Sequence, residues 1–323
     1  MANRKTRVLV LCGGKSAEHE VSLQSAKNVV EAMNKDKYEI TQVVIDKQGN
    51  WQQDALRATD VVFPVLHGTF GEDGTIQGML KLADIPFVGA SVLGSAVGMD
   101  KDVQKRLLRD ANISVANFVT LNNSNEMSYE AVVSKIGAPF FIKPANLGSS
   151  VGVHKVKSKE QFQEAIQDAF SYDRKVLAEE FVAGREIECA VLGNEEPIAS
   201  VPGEILPRHE FYSYEAKYID ENGAKLEIPA RVSEATAAHI QKLAIDAFKV
   251  LSCEGMGRVD FFLKENGEVY LNEINTIPGF TKISMYPKLW EASGLSHEKL
   301  VDELIRLAIE RFNKEQKLKT SFA

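Results

Sequence analysis

Short apolar runs broken by glycine, with amphipathic stretches between them, make up the N-terminal third of the chain. Residues 7–11 read as a buried strand, and Gly13-Gly14 turns it into a loop reaching Ser22, the predicted N-cap of a helix through about residue 33. Strands are predicted at 39–45 and 61–66, then a helix to residue 83 and a further strand over 86–89. Asp100 caps a strongly helical segment to about residue 111. From 112 to 184 the order is strand, helix, strand, loop, strand, helix, strand. Beyond 184 come strands over 187–201, a long polar and aromatic loop at 205–223, a helix over 233–251, a hairpin and C-terminal helices. The expected units are 1–100, 101–184 and 185–323, in the α/β (α+β) class.

The sharpest local signal is Asn266-Gly267 between two alternating segments, which predicts a two-residue hairpin turn. Pairing then sets Glu265 opposite Glu268, Asp260 opposite Glu273 and Arg258 opposite Asn275. Val259, Phe261, Leu263, Tyr270 and Ile274 share the predicted core face. The other face carries two carboxylates, an amide and a guanidinium. Like charges directly opposite one another destabilise a sheet. The acids therefore either diverge into solvent or hold a cation between them, and an all-oxygen donor set favours Mg²⁺ over zinc.

Composition narrows the field. The 323 residues are 44% hydrophobic and 26% charged, as in soluble globular proteins, and a formal charge of -7 argues against a nucleic-acid partner. Cys12, Cys189 and Cys253 are far apart, so neither disulfides nor a thiolate zinc site is expected. No apolar run approaches the ~18 residues of a membrane span, and the start lacks the pattern of a signal peptide, which predicts a cytoplasmic protein.

Three loops carry candidate chemistry. The first glycine turn is not G-x-G-x-x-G and supports no dinucleotide site; it holds Glu18 instead, and the third strand ends at His67-Gly68. Both lie where ligands bind in open α/β sheets, beyond the C-terminal strand ends. Lys143 ends a strand before Gly148-Ser149-Ser150, where exposed backbone N–H groups can cradle phosphate, though the order is not that of a Walker A motif. Each has a plainer reading: a surface acid near a helix start, a structural histidine, a hairpin loop. The aromatic loop has the length of a functional lid.

Taken in order, several motifs resemble one family. They are Gly13-Gly14-Lys15-Ser16-Ala17-Glu18-His19-Glu20, Leu66-His67-Gly68 with Gly71-Glu72-Asp73-Gly74, Met99-Asp100-Lys101, and Lys143-Pro144 with Gly148-Ser149-Ser150. They continue through Tyr214-Glu215-Ala216-Lys217-Tyr218, Gly257-Arg258-Val259-Asp260 and Asn272-Glu273-Ile274-Asn275. Over nearly its whole length the chain is similar to the D-alanine–D-alanine ligases of the ATP-grasp superfamily. That resemblance implies a three-domain ATP-grasp fold whose N-terminal domain is a Rossmann-like parallel sheet.

The resemblance also implies roles. Asp260, Glu273 and Asn275 bind Mg²⁺, two ions with Mn²⁺ as an alternative, and Lys101, Lys143, Lys217 and Ser150 hold the ATP phosphates. Glu179, Glu180 and Val182 receive adenine, Glu186 the ribose, and Phe211 lines the nucleotide pocket. Glu18 takes the ammonium of the first D-alanine with His67 nearby, in a hydrogen-bonded set with Ser149 and Tyr218. Arg258 and Gly279 face the reacting carbonyl, and Ser284 receives the second carboxylate beside Met285, where leucine is frequent. The implied reaction makes D-alanyl-D-alanine for peptidoglycan through an acyl phosphate, in a cytoplasmic homodimer. Rival readings are a D-alanine–D-serine or D-alanine–D-lactate ligase, against which Tyr218 speaks, and a non-catalytic nucleotide-binding protein.

Overall fold

The computed structural model describes residues 4–207 and 224–319. Phe211, Lys217 and Tyr218 lie outside the described residues.

The apolar run at the start forms β1 (Thr6–Gly13), followed by α1 (His19–Ala32). β2 (Tyr38–Ile45) and β3 (Val61–Pro64) pair parallel on either side of β1. β1 is buried on both faces, which is why it reads as a continuous apolar run. Val8, Val10 and Cys12 pack with Val29 of α1, while Leu9 and Leu11 pack with Leu80 of α2 (Thr75–Leu82). Ser22 is not the cap of α1: it sits a turn inside, fully buried, accepts from Gly13 N–H at 2.7 Å and donates to the Val65 carbonyl. Residues 86–89 make one parallel bridge, Phe87 to Val62, rather than a strand. The Phe87 and Gly89 carbonyls turn to Arg311 of the C-terminal helix, which donates to Gly89 O at 2.6 Å and Phe87 O at 3.0 Å.

α3 (Val92–Met99) is not anticipated by the hydrophobic pattern, because its glycines lower helix propensity. They serve contact instead: a Cβ on Gly94 would lie 2.4 Å from the Ser252 carbonyl, and one on Gly98 2.7 Å from Thr276. α4 (Lys101–Asp110) is capped as expected, Asp100 accepting from Asp102 and Val103 N–H at 3.1 Å.

The next segment supplies β4 (Phe118–Leu121), α5 (Tyr129–Ile136), β5 (Phe140–Pro144), β6 (His154–Val156), α6 (Lys159–Tyr172) and β7 (Val176–Glu180). The strands form an antiparallel sheet in the order β4-β7-β5-β6, covered through Phe140, Phe162 and Ile166.

A third sheet contains β8 (Arg185–Gly193), β9 (Ile198–Ala199), β10 (Gly203–Pro207), β11 (Ala224–Glu227), β12 (Gly255–Leu263) and β13 (Val269–Asn275). Its order is β11-β10-β8-β12-β13, with β9 on β8. α7 (Glu234–Val250) packs Ile240, Ala244 and Phe248 into this sheet's core. α8 (Met285–Ala292) and α9 (His297–Glu315) share a core with the parallel sheet, joining Val8 and Phe63 to Tyr286 and Leu304.

The β12–β13 hairpin reaches its predicted register by an unpredicted route. Lys264 and Glu268 close a three-residue loop, Lys264 N–H donating to Glu268 O at 2.9 Å, with Gly267 at φ 87°. A bulge between Asp260 and Phe261 absorbs Asn272 as the extra residue and restores Asp260 opposite Glu273 and Arg258 opposite Asn275. Turnward of the bulge the faces exchange, so Val269 and Leu271 are buried and Tyr270 lies beneath Lys264 Nζ, 4.5 Å from its ring centre.

Candidate active site

The hairpin's open end is part of a wider row of charge. Glu188 of β8 stands opposite Asp260 of β12, which stands opposite Glu273 of β13, so three carboxylates line one face of adjacent strands. Two basic side chains answer them. Arg258 places Nε 2.8 Å and Nη2 2.7 Å from the Asp260 oxygens, with Nε also 2.9 Å from Glu188. Lys101, at the start of α4, lies 3.3 Å from Glu273 and donates to the Leu147 carbonyl at 2.7 Å. Asn275 Nδ2 donates to Asp260 at 3.0 Å.

The positive charge that the register demands is thus supplied by the protein itself. Among the described residues no three His, Cys, Asp or Glu side chains stand grouped to hold a metal ion. The oxygen donors of Asp260, Glu273 and Asn275 fit a hard divalent cation in chemistry.

Opposite this row, Glu18 is only 7% exposed and accepts from the Ser149 hydroxyl. Gly68, at φ 74°, makes room for it: a Cβ there would lie 2.6 Å from Glu18 Oε2. Ser149 and Ser150 hold consecutive left-handed conformations, φ 54° and 60°, at a cost of about 1–2 kcal/mol each. Strain of this kind collects where a loop must present its groups to a ligand.

His67 is buried with both ring nitrogens engaged, Nδ1 at 3.0 Å from the Ile277 carbonyl and Nε2 at 3.0 Å from Ser25 Oγ. Burial pulls its pKa below the ordinary value, so the ring is neutral with the proton on Nδ1. Ser25 also accepts from Phe280 N–H at 3.2 Å, and Asn28 donates to Phe280 O at 2.9 Å. These contacts pin the loop that carries Gly279. A Cβ on Gly279 would lie 2.7 Å from Ser284 Oγ. Ser284 precedes α8 but makes no side-chain cap, its hydroxyl meeting Thr281 N–H at 2.9 Å instead. The first N–H groups of α8 are therefore free of a side-chain cap at Ser284, and such a helix end suits a carboxylate.

A cavity of about 80 Å³ joins these parts, lined by Glu18, His67, Ser149, Arg258, Glu273 and Asn275 and closed by Gly279, Ser284 and Met285. Glu72 and Glu188 also line it, and neither was singled out from the sequence as a site residue. Glu188 is foreshadowed by its place on the same strand face as Glu186, and Glu72 by its glycine-flanked motif.

Burial, then the nearby Glu18 charge, pushes the Glu72 carboxyl up to about 8, although the Gly68 N–H at 3.1 Å opposes the shift. Between pH 4.5 and about 8 the folded state keeps a proton that the unfolded chain has released, so rising pH costs stability across that window. Glu72→Gln removes the effect. The melting temperature of the ligand-free variant relative to wild type is expected to rise from pH 5 to pH 8, and a constant difference would discard the shift.

Beyond the serine loop, Lys143 Nζ donates to Glu179 Oε1 at 2.6 Å, and Lys105 Nζ lies 2.7 Å from the other oxygen. The Glu179 carboxylate therefore points inward to two lysines. Glu180 instead accepts from Asn117, Val182 is buried, and Glu186 sits on β8 beside Phe262. Lys101 joins the serine loop to Glu273, so the two antiparallel sheets meet across this cleft.

A strained serine loop and Lys143 on one antiparallel sheet, with lysines of α4 between it and the acids of another, define an enzyme of the ATP-grasp class. Family models described as the D-ala D-ala ligase N-terminus and C-terminus match residues 7–59 with 52–90, and 107–306. The D-alanine–D-alanine ligase of Oceanobacillus iheyensis is 53% identical over 361 aligned positions, covering 98% of this chain and 99% of that protein. The D-alanine–D-alanine ligase structure from Coxiella burnetii superposes with a TM-score of 0.87 at 42% identity, covering 97% and 96% of the two chains. The VanG D-Ala:D-Ser ligase of Enterococcus faecalis gives 0.83 at 38%, covering 94% and 100%. The chain belongs to the D-alanine–D-alanine ligase family and is a ligase.

Proposed function

We propose that the protein uses ATP to join two D-alanines into D-alanyl-D-alanine, a peptidoglycan precursor. The observation that carries this reading is one cavity holding an ammonium acceptor, Glu18, a carbonyl-facing guanidinium, Arg258, and a helix start at Ser284 suited to a carboxylate. A carboxylate does not form an amide without activation, because oxide is a poor leaving group. The first D-alanine carboxylate attacks the γ-phosphorus, giving an acyl phosphate and ADP. The second D-alanine's neutral amine then adds to the acyl carbon, and the tetrahedral adduct expels phosphate. Positioning and charge neutralisation by Lys101 and Lys143 serve the first step. Arg258 and the Gly279 N–H serve the oxyanion of the second.

Within the same proposal Asp260, Glu273 and Asn275 hold Mg²⁺, which neutralises phosphate charge when bound. Glu273→Gln is expected to move half-activation to higher magnesium concentration; an unaltered titration curve would count against the metal site. The resemblance gives Lys217, Tyr218 and Phe211, which lie outside the described residues, roles toward the nucleotide and the lid. The resemblance further supports domain limits near 100 and 184, a homodimer, to be checked by light scattering, and a cytoplasmic location. Among the described residues no helix is long and apolar enough to cross a membrane.

The wall around Ser284 favours alanine as second substrate. Ile205, Leu226, Ile283 and Met285 are apolar, so a D-serine hydroxyl set against them would give up water without gaining a hydrogen bond from these side chains, at a cost of about 1–3 kcal/mol. Phosphate release from ATP with and without D-alanine tests the reaction. Competition among D-alanine, D-serine and D-lactate, with products identified by mass, tests the choice. Release that ignores D-alanine would overturn the reading.

A further inference from the structure

Lys105 has no place in the reaction as derived so far, yet its side chain is 0% exposed. A buried ion costs several kcal/mol in lost hydration, and an apolar residue would fill the same space more cheaply. Its Nζ lies 2.7 Å from Glu179 Oε2 and donates to the Asn272 carbonyl at 3.1 Å. Glu179 accepts from Lys143 through its other oxygen. With both lysines protonated the cluster holds two positive charges and one negative, a net charge of +1; burial pulls the Lys105 ammonium below its ordinary pKa, and the Glu179 charge opposes that pull. Burial works against the Glu179 carboxylate, and the two lysines more than offset it, holding the group below its usual pKa.

The geometry reaches further. Asn272 is the bulged residue beside Glu273, and Lys101, which pairs with Glu273, lies one helical turn from Lys105 on α4. One short helix thus fixes a lysine on the Glu273 side of the cleft and a second on the Glu179 side.

We propose that Lys105 is a positioning residue for ATP: by neutralising Glu179 it leaves the charge of Lys143 available to the nucleotide. Without Lys105, Glu179 would pair with Lys143 alone and cancel it. The inference rests on the ATP reading of this cleft.

The test is a charge-swap cycle of wild type, K105M, E179Q and K105M/E179Q, titrated with magnesium ATP and with adenosine by calorimetry. K105M is expected to weaken ATP binding about 10–100-fold while adenosine binding changes little. The double variant, again with a net charge of +1, is expected to return the ratio of ATP to adenosine affinity to within a few-fold of wild type. A purely structural lysine predicts the opposite, because the double variant loses two buried partners and binds no better than K105M. That result would overturn the proposal. If K105M does not fold, E179Q decides with adenosine as the reference, since any contact of Glu179 with adenine affects both ligands alike: a ratio of ATP to adenosine affinity at or above that of wild type supports the proposal, and a lower ratio overturns it. Wild-type protein that binds no ATP would be a different failure, that of the nucleotide site itself.

Discussion

Arg258→Ala is expected to lower the rate of dipeptide formation by about 10²–10³, the usual cost of one donor to a developing oxyanion. The reason lies in how the guanidinium is held. Asp260 grips Nε and Nη2 at 2.8 and 2.7 Å, and Glu188 meets Nε at 2.9 Å, so the side chain is fixed beside the cavity before any substrate arrives. A donor already oriented needs no rearrangement as charge builds on the carbonyl oxygen. ATP affinity is expected to change little, because Lys101 and Lys143 are untouched. The variant also frees Asp260, and half-activation by magnesium should shift to lower concentration even as turnover falls. Arg258→Lys keeps the charge but not the two-pronged grip, so its rate should lie between. Steady-state kinetics with separate ATP and magnesium titrations check all three, and an unimpaired rate in Arg258→Ala would discard the assignment.

The hairpin shows what could be read from the chain and what could not. Its facing pairs were legible because hairpin turn signals and strand alternation are local. A two-residue turn without a bulge and a three-residue turn with one give the same partners at the open end. Only the Tyr270 half betrays the difference. Asp100 as a cap and the strand and helix order of the central sheet were legible for the same local reason.

Non-local chemistry was not. Glu188 joins the carboxylate row only because β8 lies between β10 and β12, a sheet order that no periodicity encodes. Lys105 reads as an ordinary helix lysine until Glu179 and Asn272 are folded against it. His67 was expected to sit near the first substrate and does line the cavity, but the grip of Ile277 and Ser25 on its two nitrogens depends on a loop 210 residues away. The strain at Ser149 and Ser150 likewise has no signature in composition, since serine seldom adopts positive φ.

Glu18→Gln is expected to raise the Michaelis constant for the first D-alanine by roughly 30- to 5,000-fold, with a smaller effect on the rate at saturation. Glutamine keeps the shape and can still accept from Ser149, so what is lost is the charge on a nearly buried acceptor, worth about 2–5 kcal/mol against a paired ammonium. Ser149→Ala should cost less, because the carboxylate itself remains. The neighbouring Glu72 makes the prediction sharper. It is held protonated up to about pH 8 by burial and then by the Glu18 charge. Removing that charge lets Glu72 ionise at lower pH and offer a substitute carboxylate in the same cavity. The defect of Glu18→Gln should therefore narrow as pH rises toward 8, while the double variant with Glu72→Gln should show no narrowing. Kinetics of both variants across this range check the argument. An unchanged Michaelis constant in Glu18→Gln would remove the ammonium site, and equal pH profiles for the two variants would remove the role given to Glu72.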